Sequence, residues 1–254
     1  MNGLKEGMEY LVEQSKPEFK EYEGYLFSDK KMYPVHKEEP LATPLNMYTL
    51  TSLIDYINSE ADKLPEHMII HVESPTKVSL LSSLNEDRCR EVIAVANAMI
   101  PEFSFGRFYD AEEFTICLQS RFLDYSASGQ RNDKDTILKF TGTAEIGTLK
   151  QYGDDGVSQS VQIQKTTTSR EEDIVPNPVY LCAYRTFHEI SQPTSPFIFR
   201  IKDMNGHLAA ALYDADGGAW MNETMLEIKK WIIGELHDLV DEKKHLESRF
   251  TVVS

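Results

Sequence analysis

The chain has 254 residues, enough for one large domain or two small ones, and at 41% hydrophobic it can bury a substantial core. Its formal charge of −15 repels a phosphate backbone, so nucleic-acid binding is disfavoured unless arginines cluster. No apolar run approaches membrane-spanning length and the acidic start lacks a signal-peptide apolar region, so the expected setting is cytoplasmic, away from membranes.

Leu4, Met8, Leu11 and Val12 recur at helical spacing within a charged start. They read as an amphipathic helix or arm that docks on the body or on a neighbouring subunit. A partly ordered terminus is the alternative. Pro34, Pro40 and Pro44 make an extended connector. The expected organisation is an arm and connector over 1–46 and a body over 47–254, with a weak boundary near 126–135.

Thr49 to Leu64 predicts a helix capped by Thr49, with Leu50, Leu53, Ile54, Ile57, Ala61 and Leu64 on one face and Pro65 as its stop. Met68 to Val72 and Lys77 to Leu81 read as a strand pair turning at Ser74-Pro75. Arg88 to Ile100 suits a helix by length, but its β-branched run Val92-Ile93-Ala94-Val95 favours a third antiparallel strand. After the aromatic connector Pro101 to Asp110, the pattern Asp110-Ala-Glu-Glu113 is a capping box. The helix it opens buries Phe114, Cys117, Leu118 and Phe122 and is expected to end near Tyr125. Ser126 to Asp135 reads as an exposed polar loop.

Gly153-Asp154-Asp155-Gly156 divides two strands of a hairpin, and Val157, Val161 and Ile163 alternate with polar residues. Thr166 to Asp173 reads as a polar linker. Val179 to Phe187 and Phe197 to Lys202 are strand signals, each preceded by proline. Phe199 and Ile201 fall on one face of the second, Arg200 and Lys202 on the other. Asn205-Gly206 turns it into a partner strand over Leu208 to Tyr213. A final helix follows Trp220, capped by Asn222, with Met225, Ile228, Ile232, Leu236 and Leu239 on its buried face. Asp241 to Ser254 is charged and expected to fray. The fold class is therefore α+β: a mainly antiparallel sheet system packed with about three helices.

Catalytic and metal signals are weak. Cys89, Cys117 and Cys182 are far apart and form no CxxC, so they read as reduced and mostly buried thiols. His67, His71 and His188-Glu189 lie near strand signals and have no HExxH context, which argues against metal ligation. Asp214-Ala-Asp216-Gly-Gly lacks the further ligands of a calcium loop and reads as a strand-to-helix turn. Asp154-Asp155 reads as turn residues. No phosphate-binding glycine loop and no nucleophile elbow occurs. No catalytic residue, metal or cofactor is assigned, although an unrecognised enzyme stays open.

Arginines beside aromatics are the sharper signal, because a guanidinium can stack on a ring and fork a phosphate. Arg107, Arg121, Arg185 and Arg200 lie next to Phe108, Phe122, Tyr184 with Phe187, and Phe199. An ion pair or a solvated sheet face is the alternative at each. The candidate ligand-binding residues are Arg185, Arg200, Tyr184, Trp220 and Arg107.

Several stretches carry a family resemblance. They are Phe105-Gly-Arg-Phe-Tyr-Asp-Ala-Glu-Glu-Phe114, Leu118-Gln-Ser-Arg-Phe122, Gly153-Asp-Asp-Gly-Val-Ser-Gln159, Val175-Pro-Asn-Pro-Val179 and Ala183-Tyr-Arg-Thr-Phe187. Phe199-Arg200 and Ala211-Leu-Tyr-Asp-Ala-Asp-Gly-Gly-Ala-Trp220 complete the set. Together they resemble a prophage-encoded family of unknown function, the YfdQ-like proteins. The resemblance implies phage or prophage origin and supplies no activity and no catalytic residue. The expectation is a non-enzymatic, homo-oligomeric phage protein that captures a small phosphorylated or nucleotide-like ligand, with an anti-defence role. The alternatives are a recombination or replication accessory on single-stranded DNA or a DNA enzyme, and a self-assembling structural protein.

Overall fold

The computed structural model describes residues 2–22, 25–29, 43–85, 88–124, 131–146, 148–154, 159–166, 169–174, 177–205, 207–240 and 249–254. The chain divides into two units, residues 1–41 and 42–254. In the first, helix α1 (Asn2–Ser15) is followed by β1 (Phe19–Tyr22) and β2 (Tyr25–Ser28), which pair antiparallel.

The second unit runs β3 (Leu45–Met47), α2 (Leu50–Ser59), β4 (Met68–Ser74), β5 (Lys77–Ser82), β6 (Val92–Asn97), β7 (Tyr109–Asp110), α3 (Ala111–Arg121) and α4 (Lys134–Ile146). It continues with β8 (Thr148–Asp154), β9 (Gln159–Thr166), β10 (Ser169–Ile174), β11 (Val179–Cys182), β12 (Thr194–Met204), β13 (His207–Asp214), α5 (Ala219–Val240) and β14 (Phe250–Val253). The class is α+β, with five helices among the described residues rather than about three.

Among the described residues three sheets form in this unit: β14-β4-β5-β6-β3, β11-β12-β13-β7 and β10-β9-β8. All pairings are antiparallel except β14 with β4 and β3 with β6. Each of the two larger sheets buries one face under helices. Phe197, Phe199, Ile201, Ala210 and Leu212 pack against Phe114, Leu118 and Ile137 of α3 and α4. Met68, Ile70, Val72, Val78 and Leu80 pack against Leu53 and Ile57 of α2 and Ile228 and Ile232 of α5.

Local chemistry explains most element starts. Thr49 Oγ1 accepts from Ser52 N at 3.1 Å, and Asp110 Oδ1 accepts from Glu113 N at 2.7 Å. Each such cap contributes about 1 kcal/mol by satisfying an orphaned helix donor. Element ends depart from the periodic pattern. Helix α2 stops at Ser59, short of Leu64, because Glu60 adopts a left-handed conformation with φ 51°. Helix α3 stops at Arg121, not near Tyr125, because Phe122 turns extended and bridges Ala183. Strand β11 stops at Cys182, and Phe187 enters the second core from a loop.

Four further expectations are corrected. Part of the polar stretch near 126–135 is interior: Asp133 and Lys134 are buried. Lys134 Nζ donates to the carbonyls of Gln119 at 3.2 Å and Phe122 at 2.6 Å, holding the end of α3. Asp133 Oδ2 accepts from Tyr180 N at 2.9 Å. These tertiary bonds start α4, a helix whose Thr136, Thr141 and Gly142 have poor intrinsic propensity. The polar segment after Thr166 holds strand β10. Helix α5 begins at Ala219, so Asn222 lies inside it and caps nothing. The last residues form β14, whose pairing with β4 is extended by the Met68 N to Arg249 O bond of 2.7 Å. The turn at 155–156 between β8 and β9 lies outside the described residues, as does Val157.

Among the described residues no helix is long and apolar enough to cross a membrane. Cys117 and Cys182 are buried and Cys89 is exposed, and none of the three is in a disulfide.

Candidate ligand cavity

The loop between β11 and β12 joins the two cores. Gln192 organises it from within. Its Oε1 accepts from Arg185 N at 2.8 Å and Thr186 N at 3.1 Å, while its Nε2 donates to the carbonyls of Thr186, Phe187 and Ile190. One buried side chain thus replaces the backbone ladder that β11 loses after Cys182. Burial pushes the Cys182 thiol up, against an opposing bond with Thr194, and the thiol donates to Gln192 O at 3.2 Å. It is therefore a packing group rather than a nucleophile. Glu189 Oε1 accepts from Thr51 N at 2.9 Å and Thr51 Oγ1 at 3.0 Å, anchoring the same loop to the start of α2.

The opposite wall comes from the aromatic connector. Gly106 N donates to Leu212 O at 2.7 Å, and Gly106 takes φ +79° with Tyr213 packed against it. Phe103 and Phe105 then point inward, and their rings meet at 4.9 Å. The end of α3 is tied on by Tyr184 N donating to Arg121 O at 3.1 Å. Between these elements lies a cavity of about 380 Å³. Phe103, Phe105, Tyr184, Trp220, Arg121 and Arg185 line it, with Glu102, Asp214, Thr76, Ile100, Pro101, Phe122 and Ala183.

Arg185 is the unusual member. Its side chain is 5% exposed, and Nη2 donates to Asp214 Oδ1 at the end of β13. Its Cζ lies 4.6 Å from the Phe105 ring centroid, 4.8 Å from Phe197 and 4.7 Å from Trp220. Three ring faces offset part of the desolvation of the guanidinium. Nε and Nη1 are buried and have no hydrogen-bond partner. Unsatisfied buried donors cost roughly 1–3 kcal/mol each, so the cage holds a cation whose hydrogen bonding is incomplete.

The structure brings together Arg185, Tyr184 and Trp220, with Arg121 beside them. It does not bring Arg107 or Arg200. Arg107 is 58% exposed, pairs with Glu113 at 3.4 Å and stacks 4.6 Å over Tyr109. Arg200 projects from the outer face of β12, because the inward face is taken by Phe199 and Ile201. The carboxylates read as a turn are both engaged: Asp214 with Arg185, and Asp216 Oδ1 with Gly218 N at 2.9 Å. His188 is exposed and sits 6.1 Å from the Tyr184 ring. Among the described residues no group of three His, Cys, Asp or Glu side chains is placed to hold a metal. Sequence reasoning missed Phe103, Phe105 and Glu102 as lining residues. The alternation Phe103-Ser104-Phe105 was the available signal, since it puts two rings on one side of an extended segment.

No family model, no curated protein and no solved structure matches the chain.

Proposed function

We propose that this protein binds a small nucleotide-like ligand in the cavity, as a recognition protein rather than an enzyme. The observation that carries the reading is Arg185, caged by three aromatic rings with two donors unpartnered at the wall of a 380 Å³ cavity. That volume falls in the range of small-molecule sites, and the lining combines stacking faces with a few convergent polar groups. Tyr184 and Trp220 offer their rings to a base, and Arg121 and Arg185 offer N–H donors to its phosphate or carbonyl oxygens. Two guanidiniums face two carboxylates, Glu102 and Asp214, so the lining is close to neutral. A nucleoside or nucleoside monophosphate suits it better than a polyphosphate, whose charge would meet both carboxylates. The resemblance of stretches within 105–220 to a prophage-encoded family supports a setting in which a phage product sequesters a host nucleotide signal.

Tryptophan fluorescence tests the reading. With Trp231→Phe as background, Trp220 reports the cavity alone. A panel of nucleosides, monophosphates, cyclic dinucleotides and triphosphates is titrated. Saturable quenching by a monophosphate, weakened about tenfold by Arg121→Ala, is expected. Absence of quenching and of any melting shift across the panel would remove the proposal.

A further inference from the structure

The four-stranded sheet has a second face, and its chemistry differs from that of the acidic whole. Helices α3 and α4 cover the inner face. The outer face carries Tyr180 from β11, Arg200 and Lys202 from β12, and Tyr213 from β13, with Phe108 just before β7. The register places Arg200 opposite Ala211 and Lys202 opposite Ala209.

Those two alanines make the arrangement work. Lys202 Nζ lies 3.8 Å from the centroid of the Phe108 ring. Phe108 flanks β13 on the side away from β12, so the lysine stem crosses β13 to reach it. Ala209 and Ala211 leave room for that crossing and are 2% and 0% exposed. A larger side chain at either position would block it. Further along, Arg131 lies 5.7 Å over the Tyr180 ring, with its side chain 60% exposed and its Nε paired to Asp133. The Tyr213 ring stands edge-on to Phe108 at 6.5 Å and is 38% exposed. Asp110, at the rim, is turned to the start of α3 by its cap on Glu113 N.

Cations and rings therefore alternate along one strip. From the Tyr180 row, which pairs with Pro196, to Lys202 is six residues of β12, roughly 20 Å at about 3.3 Å each. Arg131, Arg200 and Lys202 lie along it, Arg131 paired with Asp133, in a chain whose net charge is −15. A phosphate backbone complements such a strip. Flat rings at intervals beside cations are the equipment that binds single-stranded nucleic acid, where bases are free to stack. A duplex offers no free base faces to these rings, and the acidic remainder repels its extended backbone.

We propose that this outer face binds a short single strand of nucleic acid, with Tyr213 and Phe108 stacking bases and Lys202 and Arg131 contacting phosphates. Lys202 leaves the Phe108 ring for a phosphate as a base takes its place. The proposal stands whether or not the cavity binds a nucleotide.

Fluorescence anisotropy of short labelled oligothymidylate, oligouridylate and duplex DNA tests it on the full chain. Single strands are expected to bind and the duplex to bind more weakly, and the ratio of the two oligonucleotides reports DNA or RNA preference. Two phosphate contacts predict a log–log salt slope of roughly −1.4. Tyr213→Ala and, separately, Lys202→Glu should each weaken binding roughly tenfold, with circular dichroism showing that both variants remain folded. Lys202→Glu should leave the Trp220 quenching unaltered. No single-strand binding at low salt, equal binding of duplex, or full binding by both variants overturns the proposal.

Discussion

The Thr186 hydroxyl donates to the Pro75 carbonyl across 2.6 Å, and both residues are buried. This bond fastens the β11–β12 loop to the β4–β5 turn, next to Arg185 on one side and Thr76 on the other. Two cavity walls thus depend on one buried hydrogen bond. Thr186→Val keeps the shape and leaves the Pro75 carbonyl unsatisfied, so it should cost about 1–3 kcal/mol. Thr186→Ser keeps the donor and should cost less. Urea denaturation of the two variants gives the comparison, and equal losses would show that the hydroxyl contributes nothing.

The Arg185–Asp214 pair is lopsided, with side chains 5% and 44% exposed. Removing the exposed partner leaves a buried charge, whereas removing the buried partner leaves a carboxylate that water can solvate. Asp214→Ala should therefore destabilise by up to about 3 kcal/mol, with water screening part of the loss. Arg185→Met, which fills the same cage, should stay within about 1 kcal/mol of wild type. Thermal or chemical melting that finds the reverse order would contradict the cage.

Gly217 and Gly218 take φ +63° and +83° between Asp214 and α5. A Cβ on Gly218 would meet only the tip of Met221, at 2.6 Å, and that side chain can move. The cost of Gly218→Ala is then set by the backbone, roughly 1–2 kcal/mol. Because Trp220 begins two residues later, the variant should also shift the Trp220 emission. An alanine variant as stable as wild type would mean the left-handed turn is not required.

Glu73 gives a pH prediction. Burial pushes its carboxyl up, but bonds from Lys77 at 2.7 Å and from Ser79, with the charges of Lys77 and His71, bring it below the usual value. A carboxyl lowered on folding stabilises the native state above its unfolded pKa, and that stability is lost as pH falls through the folded pKa. The stability gap between wild type and Glu73→Gln should thus be full at neutral pH and close as pH falls below about 4.3. A gap that does not change with pH would place the effect elsewhere.

Much of the architecture was readable from the chain because its causes are local. Thr49 and Asp110 cap helices within three residues of themselves, Asn205 takes φ 58° at the end of β12 ahead of the paired β13, and alternation separates Phe199 and Ile201 from Arg200 and Lys202. Alternation assigned faces, and so it placed Arg200 away from the core before any sheet was built. It left undetermined what the faces meet. Helix α4 forms because Lys134 and Asp133 bond to α3 and β11, partners 10 or more residues distant, and not because its own residues favour helix. Strand β14 exists only through pairing with β4, across the length of the chain. The convergence of Arg185 and Trp220, and the crossing of Lys202 to Phe108, depend on how the strands are ordered side by side. Loop closure over such separations is invisible to a local pattern, and tertiary packing alone decided which arginines share a site.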